Sequence, residues 1–429
     1  MRISGLCGGL RGVTAVPGDK SISHRAVMLG ALAEGKTVIE GFLAGEDCLA
    51  TIECFRKMGV SIEQHGNTVK VQGVGLHGLR EPAAALYAGN SGTTIRLLLG
   101  ILAGQHFAAT ISGDASIQRR PMARVVIPLR QMGANISSEM APLTVSPAET
   151  LAGFHYDMPI ASAQVKSALL LAGLYAQDVT SVTEPVRARD HTEIMLQAFG
   201  VPVWRQGLTV AVTGGHCLKG HQIAVPGDIS SAAFLIVAAL IIPGSELVLR
   251  HIGINPTRTG ILDVLLAMGA DIQVAPYTTV GEPVADIVVR CSKLTGTIVA
   301  GKLIPRLIDE IPALTVAAAF ASGTTVISDA AELKVKESNR IAAMVAGLTA
   351  MGADVEEQAD GMVIRGGKPL TGAVIASAGD HRIAMSFAIA GLAAAGETVI
   401  NGDDCIPVSF PGFSATLREL GATIATESD

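Results

Sequence analysis

Six times along the chain, an apolar helical stretch runs into a bulky apolar residue, a glycine, an Ala or Val, and then a strand-like alternation. The copies are KMGVSI at Gly59, QMGANI at Gly133, AFGVPV at Gly200, AMGADI at Gly269, AMGADV at Gly352 and ELGATI at Gly421. One such hexapeptide is an ordinary helix stop. Recurrence at roughly 70 residues, well above solenoid periods, instead predicts internal duplication of one helix–turn–strand unit. The glycine is expected to end each helix in the left-handed conformation, where a Cβ is penalised, and to aim the chain into a strand.

A second repetition divides these copies. VPGDKSISHRA begins at Val16 and VPGDISSAA at Val225, with three of the hexapeptides between them and three after. Pro-Gly-Asp is loop chemistry. At 429 residues the chain exceeds one ordinary core, so the two loops are read as crossings between two similar domains. The first spans 18–225. The second combines 1–17 with 226–429, and the crossovers lie near Pro17–Asp19 and Pro226–Asp228.

Composition narrows the function classes. Hydrophobic residues make up 49% and charged residues 16%, enough apolar material for a large core. A net charge of −6 and 3% aromatics argue against nucleic-acid binding and base stacking. Six cysteines, at 7, 48, 54, 217, 291 and 405, are scattered without a CxxC. That pattern points to a reducing compartment rather than a disulfide framework or a zinc site. MRISGLCGGLRG has no apolar signal region. The longest apolar run, Ala232 to Ile242, is too short to span a bilayer and is read as a buried helix. The chain is expected to be cytoplasmic. GALAEGKT, Gly30 to Thr37, matches the P-loop expression letter for letter, but a helix precedes it and a strand follows, the reverse of what phosphate cradling needs.

The cations are concentrated at element ends. In KSISHRAVMLGALA, Ser21 is read as the N-cap of a helix, with Lys20 before the first turn and Arg25 on Ser21's face. Free N–H groups, a hydroxyl and two cations make an anion-binding helix start. Taken alone, the stretch equally fits a capped helix with surface charges. GNSGTTIRLLLG repeats the logic with Gly92, Thr93 and Arg96, and RRPMARV adds Arg119, Arg120 and Arg124. SAQVKSALLLAG offers Ser162, Gln164 and Lys166, and EPVRARDHTE offers Arg187 and Arg189. Downstream come Arg306, Asp309 and Glu310, then Lys334, Lys336, Glu337 and Arg340, then Asp380, His381 and Arg382. Lys336 and Arg340, four apart, are expected on one helical face. Together these segments suggest anionic ligands gripped in a cleft, where guanidinium forks offset repulsion between two anions. Asp309, Glu337 and Lys20 could supply acid–base chemistry, although any single carboxylate equally suits an arginine's counter-ion. His24 and His381 lie beside arginines, which does not suit a metal site.

VPGDKSISHRA, GNSGTTIR, RRPM, SAQVKSA, RDHTE, IDEIP, VKESNRI and DHRIAMS occur in this order from end to end. By these motifs the chain resembles the 5-enolpyruvylshikimate-3-phosphate (EPSP) synthase family of enolpyruvyl transferases, with SAQVKSA and RDHTE suggesting its class II bacterial branch. The resemblance implies an α/β fold: a two-domain inside-out α/β barrel, each domain made of three βαβαββ units. It implies transfer of the enolpyruvyl group of phosphoenolpyruvate to the 5-hydroxyl of shikimate 3-phosphate with release of phosphate, by a monomer needing no metal or organic cofactor. The shikimate 3-phosphate contacts would be Lys20, Ser21, Arg25, Ser162, Ala163, Gln164, Arg189, Asp309 and Lys336. Those of phosphoenolpyruvate would be Lys20, Gly92, Thr93, Arg120, Gln164, Arg340, His381 and Arg382. Asp309 would be the base toward the hydroxyl and Glu337 the proton relay at the enol carbon, with Lys20 reaching both substrates.

Departures from the family pattern are local. Ala163 replaces a serine of some relatives, Asn339 stands where Asp is common, and Val408 lies where class I enzymes carry a Lys. Gly92 occupies the position where Ala is associated with glyphosate tolerance. Two other readings compete. The sister enzyme acting on UDP-N-acetylglucosamine typically carries a Cys near Arg120 and a Lys-Asn pair, whereas this chain has Lys20-Ser21 and no Cys between Cys54 and Cys217. A non-catalytic anion-binding protein of the same fold would not need Asp309, Glu337 and Lys336.

Overall fold

In the computed structural model, which describes residues 1–5, 8–277 and 281–425, all six repeat glycines are left-handed. Their φ values are 87° at Gly59, 102° at Gly133, 88° at Gly200, 92° at Gly269, 90° at Gly352 and 104° at Gly421. Each follows a helix: Glu46–Lys57, Ala123–Gln131, His191–Ala198, Gly260–Ala267, Arg340–Ala350 and Phe413–Glu419. Each leads into a strand: Ser61–His65, Asn135–Ile136, Val203–Gln206, Asp271–Tyr277, Asp354–Gln358 and Ile424–Ala425. At Gly200, Gly352 and Gly421 a Cβ would meet nothing within 4 Å. Glycine is required there by the backbone angle, not by crowding.

These six strands are edge strands of six four-stranded sheets. Every sheet has the same pairing order: a parallel pair, then two antiparallel pairs ending on the strand after the glycine. In the sheet of Leu86–Tyr87, that strand runs parallel to Ala109–Ser112, which pairs antiparallel with Leu143–Ser146, which pairs antiparallel with Asn135–Ile136. Alternation buries one face of each sheet, as with Val69 and Val71 or Ile287 and Val289.

The chain divides into two compact units, Gly18–Val225 and Met1–Pro17 with Pro226–Asp429. Each has its own apolar core. The first is built around the helices Lys20–Leu32, Gly92–Ala103 and Ala163–Gly173, the second around Ile229–Ile241, Ile311–Phe320 and His381–Ala393. Ile229–Ile241, which contains most of the longest apolar run, is buried from Ile229 to Leu240.

The doubled Pro-Gly-Asp sentence has a topological meaning. Strand Arg11–Ala15 precedes the first copy but pairs with Glu246–Gly253, in the second unit. Strand Gln222–Ala224 precedes the second copy but pairs with Glu34–Glu40, in the first unit. Each copy thus stands where the chain leaves one sheet's parallel edge for a helix belonging to another. In the second unit, Asp228 N–H donates to Pro17 O at 2.9 Å.

The P-loop letters are a packing motif. A Cβ on Gly30 would lie 3.1 Å from the Thr37 side chain, so Lys20–Leu32 packs tightly on the strand Glu34–Glu40 that follows it. The same seven-residue pairing recurs at Gly173 with Thr180, at 2.7 Å, and at Gly391 with Thr398, at 2.8 Å.

The repeat glycines support a direct test. Gly352→Ala should destabilise the chain by about 1–2 kcal/mol although the site is open, because the cost is the left-handed backbone. Gly352→Asn should cost less, since Asn tolerates that region better. Equal denaturation midpoints for the parent chain and the Ala variant would count against this account.

Candidate functional site

In the Gly18–Val225 unit, three buried helices begin close to the candidate cations. Helix Lys20–Leu32 is capped by Asp19, whose Oδ1 accepts Ile22 N–H at 2.9 Å. This corrects the assignment of Ser21 as N-cap. The carboxylate takes the capping position one residue before Lys20, so Lys20 and Ser21 lie inside the first turn. Lys20 Nζ pairs with Asp47, a partner the sequence did not single out. Arg25 is almost fully buried and donates to Thr192 Oγ1 at 2.6 Å, Ser167 Oγ at 2.7 Å and Ser21 O at 3.0 Å. His24 is fully enclosed. Burial, reinforced by Lys20 and Arg25, holds its pKa well below the usual imidazole range, so it is a neutral core group. Its Nδ1 joins a chain through Thr51 and Thr94 to Ser91, each link 2.7 Å. Ser91 caps the next helix, accepting Thr94 N–H at 3.1 Å, so one line of hydroxyls ties two helix starts together.

Around that second start, several expected residues meet. Arg96 Nη1 donates to Gln164 Oε1 at 2.8 Å, and Gln164 Nε2 donates to Thr93 Oγ1 at 3.1 Å. Arg120 donates to Asn90 Oδ1 at 2.6 Å and Ser116 Oγ at 3.0 Å. A Cβ on Gly92 would lie 2.7 Å from Arg96 Nη1 and 3.4 Å from Arg120 Nη1. Two guanidinium groups therefore flank the first residue of a helix, where free N–H groups already favour an anion. Ser162 caps the third helix, accepting Val165 N–H at 3.4 Å, with Ala163 and Gln164 in its first turn. Arg189 is half-buried on the segment before His191–Ala198, whereas Arg119, Arg124 and Arg187 are exposed.

Lys166 does not face an anion site. It is fully buried, with Nζ 2.9 Å from Glu184 and 2.8 Å from Glu193. The expectation of a ligand-facing cation fails because residue 166 falls on the core side of its helix. Burial pushes the Glu184 carboxyl up, and Lys166 opposes that shift.

In the other unit, the acid–base candidates gather on one guanidinium. Arg340 is 1% exposed at its side chain and reaches Asp380 at 2.8 Å, Glu337 at 2.6 Å and Asp309 at 3.2 Å. Burial alone would weaken its charge, but these three carboxylates outweigh it and hold Arg340 above the ordinary guanidinium range. Lys336 Nζ also approaches Asp309 Oδ1, at 3.6 Å. The shared helical face expected for Lys336 and Arg340 is absent. Asn339 is the N-cap, accepting Ala342 N–H at 3.2 Å, so the helix starts at Arg340. Lys336 lies in extended backbone after a short 3₁₀ turn, Ala331–Val335. The two cations still converge because both reach Asp309. Arg382 donates to Asp309 O at 2.9 Å. Asp380 caps its own helix through Arg382 N–H, 2.9 Å, and His381 is buried in the first turn.

The second Pro-Gly-Asp copy carries no cation, but Arg258 supplies one from elsewhere. Asp228 Oδ1 accepts Ser230 N–H at 2.8 Å and Arg258 Nη2 at 3.0 Å. Ser230 also donates to Glu310, beside Asp309. Arg306 and Lys334 pair instead with Asp263 and Glu357, away from this cluster. The five described cysteines are free thiols, and Cys7 lies outside the described residues.

The Arg340–Asp380 pair has a pH signature. Burial works to raise the Asp380 carboxyl, but the charge and hydrogen bond of Arg340, with His381, together hold the group below its ordinary value of 3.8. With a depressed folded pKa, the stabilisation is complete above 3.8 and is lost as pH falls through the folded value. Asp380→Asn should therefore lower the thermal midpoint near pH 7, and the gap to the parent chain should narrow only below pH 3.8. A gap that closes already near pH 6 would contradict the pairing.

The family model described as "EPSP synthase (3-phosphoshikimate 1-carboxyvinyltransferase)" matches residues 7–417. A curated 3-phosphoshikimate 1-carboxyvinyltransferase from Pelotomaculum thermopropionicum is 60% identical over 96% of this chain and 97% of its own. One from Brevibacillus brevis is 59% identical over the same shares. A solved EPSP synthase from Acinetobacter baumannii superposes with a TM-score of 0.89 at 49% identity, covering 99% of both chains.

Proposed function

The chain belongs to the EPSP synthase family, and from that premise we propose how its own residues divide the reaction. It transfers the enolpyruvyl group of phosphoenolpyruvate to the 5-hydroxyl of shikimate 3-phosphate, releasing phosphate. Identity of 60% over 96% of the chain carries that assignment.

Shikimate 3-phosphate is held by Lys20, Ser21, Arg25, Ser162, Ala163, Gln164 and Arg189 of the Gly18–Val225 unit, with Asp309 and Lys336 of the other. Phosphoenolpyruvate is held by Lys20, Gly92, Thr93, Arg120 and Gln164, with Arg340, His381 and Arg382. The meeting of Gly92, Thr93, Arg96, Arg120 and Gln164 is the observation that best supports this reading. It joins a helix start, two guanidinium groups and a site where even a methyl would intrude. The 5-hydroxyl loses its proton to Asp309 as its oxygen adds to the enol carbon, while Glu337 delivers a proton to the methylene carbon. The tetrahedral adduct then loses a proton and phosphate to restore the enol ether. Holding Asp309 and Glu337 on one guanidinium keeps both acid–base groups in fixed register. Lys20 stabilises charge on both substrates.

The six sheets with one pairing order support a finer reading of the fold, three βαβαββ units per domain in an inside-out α/β barrel. The segment Leu86–Ser146 runs through that order once. The domains are 18–225, the shikimate phosphate side, and 1–17 with 226–429. The same reading makes the protein a cytoplasmic monomer needing no cofactor and binding no nucleic acid. No helix among the described residues is long and apolar enough to cross a membrane.

Phosphate release from phosphoenolpyruvate should require shikimate 3-phosphate, fail with UDP-N-acetylglucosamine as acceptor, and fall by at least about a hundredfold in Asp309→Ala. Release with the nucleotide sugar alone would favour the sister reaction. Gly92→Ala should raise the KM for phosphoenolpyruvate about tenfold, more than that for shikimate 3-phosphate, since the new Cβ would lie 2.7 Å from Arg96 Nη1 and crowd this helix start. Arg340→Ala is the wrong probe of substrate binding, because it strands three carboxylates and should unfold the cluster.

A further inference from the structure

We propose that Lys166 is a positioning residue for the shikimate 3-phosphate contacts of the Gly18–Val225 unit, an inference that rests on the assignment of those contacts above. Three segments carrying such contacts adjoin Lys166 and the two carboxylates that bind it. The first is its own helix, Ala163–Gly173, which Ser162 caps one turn before Lys166. The second is the segment 184–190. Lys166 Nζ bonds Glu184 Oε2 at 2.9 Å and Ala188 O at 3.4 Å, while Glu184 Oε1 accepts Ala188 N–H at 3.1 Å. Ala188 is thus held by both its N–H and its C=O, and the next residue is Arg189. The third is the Arg25 pocket. Ser167 and Thr192, neighbours in sequence of Lys166 and of its partner Glu193, are the two hydroxyls that bind Arg25, 2.6 Å from each other.

A buried ammonium between two carboxylates is a costly device for stability alone, since well-packed apolar side chains of similar volume serve as well or better. What it supplies is direction: its hydrogen bonds fix the backbone of Ala188 and the register of helix Ala163–Gly173 against helix His191–Ala198. Arg205 extends the same lock, reaching Glu193 at 3.3 Å and Asp190 at 3.2 Å. Lys166 touches no substrate in this arrangement and acts through Arg189 and Arg25.

The test is a double-mutant cycle read by steady-state kinetics. Arg189→Ala first probes the contact assignment, and the KM for shikimate 3-phosphate should rise. Lys166→Met should raise the same KM about tenfold, with kcat and the KM for phosphoenolpyruvate within about twofold. The double variant should be little worse than Arg189→Ala alone, because coupled residues do not add. Lys166→Met strands two buried carboxylates and can fail to fold, so Glu184→Gln is the second variant. It preserves shape but leaves one oxygen to serve both Lys166 and Ala188, and should raise the same KM by about threefold. An unchanged KM in Glu184→Gln and Lys166→Met, with Arg189→Ala impaired, would sink the inference and leave the contact assignment standing. Strict additivity, or an equal rise in both KM values with a fall in kcat, would reduce Lys166 to a structural role. Normal kinetics in Arg189→Ala would instead overturn the assignment itself, and the inference with it.

Discussion

Six long helices among the described residues run through apolar cores, and each helix start must satisfy its free N–H groups. Five of the six do so with a side chain: Asp19, Ser91, Ser162, Asp228 and Asp380. The first turns that follow hold Lys20 and Ser21, Gly92 and Thr93, Ala163 and Gln164, and His381 and Arg382. The requirement that shapes the fold also gathers N–H dipoles and cations at a few points. Such points favour an anion.

The buried cations share one design. Arg25, Lys166, Arg258 and Arg340 are each nearly or wholly enclosed, and each bonds several side chains from separate segments. Uncompensated, any of them would cost several kcal/mol. With partners assembled, each becomes a rigid joint between pieces of chain distant in sequence. Arg340 joins Asp309, Glu337 and Asp380 in this way. Arg258 does the same for Asp228, Ser230 and Glu310. Asp309 and Glu337 are therefore held by a charge buried beneath them.

Local rules were read correctly where one residue's conformation decided the outcome. All six helix-ending glycines are left-handed, and the false P-loop is a helix followed by a strand. They failed where an adjacent residue took the cap or a residue distant in sequence supplied the partner. Ser21 yields the cap to Asp19 because the carboxylate reaches Ile22 N–H first. Lys336 and Arg340 share a partner rather than a helical face, because Asn339 starts the helix after Lys336. Lys166 looks like a third helix-start cation, yet it points into the core. Its partners Glu184 and Glu193 lie 18 and 27 positions away, and no local pattern announces them.

The sequence by itself determined where helices stop, where strands follow, which segments carry cations and, through its end-to-end motifs, the family. These depend on backbone angles, side-chain chemistry and short spacings, which are written within a few residues. Only the tertiary structure decided which cations face a helix start and which are locked in the core. It alone paired Lys20 with Asp47 and set Asp380 opposite Arg340. It also gave the two Pro-Gly-Asp copies different partners. Those outcomes are set by burial and by contacts across tens to hundreds of residues, where desolvation makes an unpaired charge untenable and selects the one arrangement that pairs it.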